Sequence, residues 1–147
     1  MENEVERGTI ESFLLAGNCT FIIYQEETEK SPAVKKKYKL KLKEKGGNGY
    51  YLYTTENNGN SMKYHGFLIK GDRAWIYYPG KKVVGTSKYN NANIKGLLWV
   101  LNHLDRLPSA VHILHTGTCS RCGRTLTDPE SMKYGMGPEC RRKSKIK

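Results

Sequence analysis

Alternating hydrophobic and polar residues mark the middle of the chain as a β-sheet. Tyr38, Leu40 and Leu42 alternate with lysines over residues 37–43, so a strand here has an apolar face and a lysine face. Other β-rich segments, separated by short polar turns, lie at residues 19–24, 50–55, 64–70 and 73–78. About five strands joined by short turns predict an antiparallel meander.

The spacing of apolar residues changes to that of an α-helix after the sheet. We predict one long helix from Asn93 to Arg106, with Pro108 following its end. Five apolar side chains share one face of this helix, namely Ile94, Leu97, Leu98, Leu101 and Leu104. The helix should cover one face of the sheet, and the predicted fold class is therefore α+β.

Two shorter elements and a domain boundary complete the predicted organisation. Ile10, Phe13 and Leu14 have helical spacing near the N-terminus, and Val111 to His115 has the pattern of a short strand. We predict a sheet-plus-helix domain over residues 1–110 and a small C-terminal module over residues 111–147.

The C-terminal module contains three of the four cysteines. Cys119 and Cys122 form a C-x2-C knuckle that Gly123 follows, and two thiolates at this spacing can hold one cation. Cys140 comes 18 positions after Cys122, and Pro138 before it predicts a helix start. Backbone N–H groups in a first helical turn favour a thiolate. Cys19 shares a strand face with Phe21 and is predicted to be a buried thiol.

A closed tetrahedral site needs a fourth ligand besides these cysteines. His115 is the first candidate because it lies four residues before Cys119, with Gly117 between them to bend the chain; His112 is the second. We predict one structural Zn²⁺ held by His115, Cys119, Cys122 and Cys140 in a treble-clef-like knuckle. A segment with so few apolar residues needs such a metal to hold its shape.

Residues 115–140 have the pattern H-x-G-x-C-x-x-C-G-R-x-L-T-x-P-x-S followed by G-x-G-P-x-C. The pattern resembles a small zinc-finger-like domain of unknown function that is common in bacteriophage and prophage proteins. The resemblance implies zinc ligation by the same four residues and a phage or prophage origin. It implies no known activity. The lysine-rich segment between Lys35 and Lys45 departs from the family in being more basic.

Charge is distributed unevenly along the chain. The formal net charge is +11, but residues 1–29 carry −6 and residues 30–147 carry +17. A basic surface of this size favours polyanionic partners through counterion release. The candidate nucleic-acid contacts on the predicted strand are Lys35, Lys37, Lys39, Lys41 and Lys43. Those in the C-terminal module are Arg121, Arg124, Arg141, Arg142 and Lys143, with Lys145 and Lys147 beyond them.

Two functions are consistent with these features. The first is a non-enzymatic, zinc-containing phage protein that binds nucleic acid through its lysines and arginines. The alternative is a phage protein-interaction module that inhibits a host enzyme or defence system. An enzyme is disfavoured, because the acidic residues are scattered and a zinc with four protein ligands is closed to substrate. Tyrosines on the strands either pack in the core or stack on bases, and the sequence leaves both open.

The expected location is the cytoplasm of a bacterial host cell. No run approaches the roughly 18 apolar residues of a membrane-spanning helix, and no small-molecule site is evident. The first residues, Met1 to Glu6, are acidic, whereas a secretory signal begins basic and becomes apolar. A reducing compartment favours metal ligation over disulfides for the cysteines.

Overall fold

A six-stranded antiparallel sheet organises the protein. The computed structural model describes residues 2–55, 61–79 and 92–144. The strands are β1 Asn18–Gln25, β2 Val34–Leu42, β3 Gly49–Thr55, β4 Met62–Lys70, β5 Trp75–Tyr78 and β6 Val111–His115. Their order is β5-β4-β3-β2-β1-β6, with every neighbouring pair antiparallel. The first five strands form the predicted meander, and β6 adds a sixth strand beside β1.

The helices are short and lie outside the sheet. They are α1 Ile10–Leu14, α2 Ala92–Leu101, α3 Pro129–Tyr134 and α4 Pro138–Lys143, with 3₁₀ turns at Arg7–Thr9 and Leu104–Arg106. The α+β class is confirmed. None of the helices within the described ranges is long and apolar enough to cross a membrane.

The prediction of one long helix is wrong, because α2 has only ten residues. Contacts of the two residues that follow Leu101 mark its end. The side-chain oxygen of Asn102 accepts the N–H of Trp75 at 2.9 Å, and His103 bonds the Trp99 carbonyl through its ring Nδ1 at 2.6 Å. The His103 N–H reaches Val100, three residues back, so the chain leaves the α-helix and continues as a 3₁₀ turn.

The main core lies between α2 and one face of the sheet. The alternation in β2 is confirmed, because Tyr38 and Leu40 are buried while Lys37 and Lys41 are exposed. The Tyr38 hydroxyl also donates to the Asn93 carbonyl at the start of α2, at 2.8 Å. Apolar residues from every strand and from α1 and α2 meet here, among them Phe13, Phe21, Leu52, Leu68, Trp75, Ile94, Leu97 and Ile113.

The C-terminal segment is attached to the end of the sheet near β1 and β6. The Asn18 N–H donates to the Ser120 carbonyl at 2.8 Å, and the Glu6 N–H donates to the Lys133 carbonyl at 3.1 Å. A second, smaller core forms within this segment around Cys119, Leu126 and Met136. The three candidate cysteine ligands therefore belong to a segment that lies next to the sheet and is hydrogen bonded to it.

Candidate metal centre and lysine face

A tight loop positions the first two cysteines. The Cys119 N–H donates to the Arg124 carbonyl, and the Gly123 N–H donates back to the Cys119 carbonyl, both at 2.8 Å. Gly123 has a φ of +79°, a conformation that residues with a Cβ rarely adopt. The loop between Cys119 and Cys122 therefore folds back on itself, as the C-x2-C-G pattern predicts.

Two helix starts position the third cysteine. Asp128 caps α3 by accepting the Ser131 N–H at 3.0 Å, and Gly135 ends α3 in the left-handed conformation. Helix α4 then begins at Pro138, which places Cys140 in its first turn. The helix start predicted at Pro138 is confirmed.

The structure brings Cys119, Cys122 and Cys140 together. Their three sulfur atoms lie within 4.8 Å of one another. Zinc–sulfur bonds of about 2.3 Å in a tetrahedral site imply sulfur–sulfur separations of about 3.8 Å, so the trio fits one ion with small adjustments. Cys119 is buried, Cys140 is half-buried and Cys122 is exposed. A metal ion here would join the knuckle to α4.

Hydrogen bonds shift the pKa of the buried thiol, Cys119. Burial acts to raise the pKa of Cys119, but N–H groups of Cys122, Gly137 and Arg121 outweigh it, so the pKa is lowered. The Gly137 N–H lies 3.4 Å from the sulfur. The pKa of Cys140 is instead raised to about 11, by burial and by hydrogen bonds to the other two thiols. A divalent ion would displace the protons of these thiols, because thiolates are the ligand form.

His115, the predicted fourth ligand, is not brought into this group. Its Nδ1 accepts the Gly117 N–H at 2.9 Å, and its Nε2 donates to the Met132 carbonyl at 2.6 Å, an assignment that follows from these partners. Both ring nitrogens are therefore used by the backbone. Burial lowers the pKa of His115, so the ring is neutral near pH 7. Its position indicates that it connects β6 to α3.

His112, the second candidate, lies on the other side of β6 and also contacts no cysteine ligand. Its two ring nitrogens bond Glu4 at 2.9 Å and Glu26 at 2.7 Å. Within the described residues, no histidine or carboxylate joins the three cysteines within 4.8 Å. The spacing of His115 from Cys119 could not show this, because Met132, Glu4 and Glu26, which bond these rings, are distant in the sequence.

A cavity of about 420 Å³ opens beside the cysteines, and some of the predicted arginines border it. Arg121, Arg124 and Lys143 line it together with all three cysteines. Arg141, in contrast, points into the C-terminal segment, where it donates to the Met136 carbonyl at 2.7 Å and to the Ser131 hydroxyl at 3.1 Å. Arg142 is exposed and lies 3.9 Å from Glu139. Lys145 and Lys147 lie outside the described residues.

The five predicted lysines lie on the sheet face opposite the core. We call Lys35, Lys37, Lys39, Lys41 and Lys43 the lysine face. Three of their ammonium groups lie over aromatic rings: Lys35 over Tyr24, Lys39 over Tyr53 and Lys43 over Phe67, at 5.4 to 5.9 Å. Such cation–π contacts keep the charges at the surface and above the rings.

The tyrosines divide between the two faces of the sheet. Tyr50 and Trp75 point into the core, with ring centroids 5.7 Å apart. Tyr51 and Tyr53 share the opposite face with the lysines, where Lys41 pairs with Tyr51 and Lys39 with Tyr53 across the strands. Tyrosines of β3 therefore both pack in the core and lie on the exposed face of the sheet, according to their position along the strand.

Sequence reasoning missed the partners of these rings. A β-bulge places Tyr53 opposite Tyr64 and Leu52 opposite Gly66, so His65 is the extra residue of the bulge. Gly66, with a φ of +119°, is the local signal for this bulge. The bulge brings Tyr64 onto the lysine face together with Phe67, three residues later.

The fold and the cysteine trio define an α+β protein with a candidate metal centre beside its sheet. Residues 110–145 match the model of DUF6011, a family of unknown function. This match covers the segment that contains the three cysteines. No curated protein and no solved structure matches the chain.

Proposed function

We propose that this protein binds nucleic acid through the lysine face and that one structural Zn²⁺ stabilises its C-terminal segment. The observation that carries the proposal is the placement of five lysines on one open face of the sheet. A phage or prophage origin, which the sequence resemblance implies, is part of the same proposal.

The charge of the lysine face supports contact with a polyanion. In the described part of the chain, none of the five lysines forms an ion pair with a carboxylate, whereas Lys70, on β4, pairs with Glu11 at 2.9 Å. Glu4 and Glu26 bond His112 at the β6 edge of the sheet, two strands from β2. The positive charge of the face is therefore available to phosphates, and binding would release their counterions.

The choice of zinc rests on the chemistry of the donors. Three thiolates favour soft or borderline ions, and zinc is the usual one in structural sites with this C-x2-C spacing. Cys119, Cys122 and Cys140 would hold the ion, and its bonds would fix the knuckle against α4. The segment has a very small apolar core, so the metal would supply much of its stability.

A titration of a fluorescein-labelled 15-nucleotide DNA at several salt concentrations tests the binding proposal. Each lysine that contacts a phosphate contributes about 0.7 to 0.9 to the slope of log K against log salt. Lys37→Gln and Lys41→Gln should each weaken binding and reduce this slope. Lys95→Gln is the matched control, because Lys95 is an exposed lysine on α2, on the other side of the sheet. Absence of binding at low micromolar protein and low salt would refute the proposal.

A second candidate function is the protein-interaction module, and a surface near α2 favours it. Trp99 is 44% exposed and Val34 is 41% exposed, although both are apolar. They line a cavity of about 520 Å³ with Ile23, Val100 and Val111. A pull-down from nuclease-treated bacterial lysate tests this candidate. A protein recovered in equal molar amount with the parent chain, but not with Trp99→Ala, would support this candidate. If untreated lysate yields nucleic acid and no protein partner, this candidate is contradicted.

A further inference from the structure

Four aromatic rings form a continuous cluster beside the lysine face, on the same side of the sheet. Tyr51 and Tyr53 come from β3, and Tyr64 and Phe67 come from β4; we call these residues the aromatic cluster. Neighbouring ring centroids are 5.7 to 6.2 Å apart, with tilted or edge-on contacts. Edge-on packing leaves part of each ring face turned toward solvent.

The exposure of these rings is not required by the core. Tyr64 is 41% exposed, and the other three rings are half-buried. The core has its own aromatic residues, Tyr38, Tyr50 and Trp75, on the opposite side of the sheet. Burying the tyrosines of the aromatic cluster against a ligand would remove apolar surface from water without disturbing the fold.

Positive charge lies within reach of each end of the aromatic cluster. The Lys39 ammonium is 5.9 Å from the Tyr53 ring centroid, and the Lys43 ammonium is 5.4 Å from that of Phe67. Lys41 is exposed and lies directly opposite Tyr51. A base that stacks on one of these rings would therefore have its own phosphate beside a lysine, which is the arrangement that single-strand binding surfaces use.

Base stacking within a duplex disfavours a duplex as the ligand of the aromatic cluster. In a duplex the bases are stacked on one another, and their faces are not available to the rings. In a single strand the bases can separate and stack on aromatic side chains.

We infer that the ligand of the lysine face is single-stranded nucleic acid, whose bases stack on the aromatic cluster while its phosphates contact the lysines. This inference rests on the proposed nucleic-acid binding and specifies its substrate class. Stacking on a ring tolerates any base, so binding should show little sequence preference.

Fluorescence anisotropy of the full-length protein with a labelled 15-nucleotide oligothymidylate, and with a 15-base-pair duplex at the same salt, tests the inference. We expect the single strand to bind at least tenfold more tightly. Tyr53→Leu and Tyr64→Leu should each raise Kd about tenfold, the scale of one lost base–ring stack. Tyr53→Phe keeps the ring and should retain the affinity of the parent protein.

Trp99→Leu serves as the control for removal of an exposed ring elsewhere, because Trp99 lies on α2. Thermal unfolding followed by circular dichroism verifies that each variant is folded. If duplex and single strand bind equally, or if the leucine variants bind like the parent while Lys37→Gln weakens binding, the inference is overturned and the proposed function stands. If neither probe binds, both are overturned.

Discussion

The ring of Phe13 lies against the backbone of Gly135, so closely that a Cβ on Gly135 would come within 2.5 Å of the Phe13 Cε1 atom. Phe13 belongs to α1, and Gly135 ends α3 with a φ of +66°. This contact packs the N-terminal helix against the segment that holds the cysteines. Two requirements, the close approach and the left-handed backbone, therefore exclude a side chain at this position.

Gly135→Ala should consequently destabilise the protein strongly. The left-handed backbone alone costs about 1–2 kcal/mol for a residue with a Cβ, and the collision with Phe13 adds to it. Urea unfolding should show a loss of more than about 2 kcal/mol. Gly96→Ala is the matched control, because Gly96 is an exposed residue within α2 and an added Cβ would meet no atom within 4 Å. Alanine at this helical position should be neutral or stabilising. Equal unfolding midpoints for the two variants would contradict the expected clash.

Removal of one cysteine of the trio should abolish metal binding. Cys122→Ser changes an exposed side chain, so its effect on packing is small and its effect on ligation is isolated. Elemental analysis should find about one zinc per chain in the parent protein and much less in this variant. Cys19→Ala is the control, because Cys19 lies in the main core and outside the trio. Unchanged zinc content in Cys122→Ser would rule out the trio as the site.

Chelation should unfold the C-terminal segment before the sheet. The segment has only a small apolar core, whereas the sheet has the main one. After treatment with a strong zinc chelator, hydrogen exchange should accelerate at residues 119–143 and change much less in β2 and β3. Uniform acceleration throughout the chain would instead show that the two parts unfold together.

Acid should destabilise the protein through His115. Burial lowers its pKa in the folded state below the ordinary value of 6.5, so below that pH the unfolded chain binds more protons. The contribution of neutral His115 to the free energy of unfolding should therefore be fully present above about pH 6.5 and decrease as the pH falls below it. Urea unfolding of His115→Gln should show a smaller loss between pH 7.5 and pH 5 than the parent. The cysteines titrate in both proteins, so their effect cancels in this comparison, and parallel pH profiles would disprove the assignment.

His112 should show the opposite dependence. Hydrogen bonds to Glu4 and then Glu26 raise its pKa above 6.5, so its contribution to stability is complete below that pH and is lost as the pH rises through the higher folded value. The contribution of His112 to the free energy of unfolding is small, because the Glu26 side chain is half exposed to solvent. An NMR titration of the ring should give a lower pKa in Glu4→Gln than in the parent protein. The same pKa in both would show that the Glu4 contact does not form in solution.

Local patterns allowed the elements themselves to be predicted, and long-range contacts explain what was missed. The alternation around Leu40 and the helix start at Pro138 depend on neighbouring residues, so sequence spacing describes them fully. The end of α2 depends on the bond between Asn102 and Trp75, and the partners of His115 depend on where Met132 folds. The side on which Tyr64 lies depends on a bulge that forms only when β4 pairs with β3.

The pairing of β1 with both β2 and β6 determines the order in which a growing chain can fold. A ribosome completes β1 and β2 early, but Phe21 meets its partner His115 only after most of the chain has been synthesised. Until then one edge of β1 has no neighbouring strand and is open to wrong association with other nascent chains. The three cysteines emerge between four and 25 residues after β6, so a metal ion would be captured only once the last strand of the sheet has been synthesised.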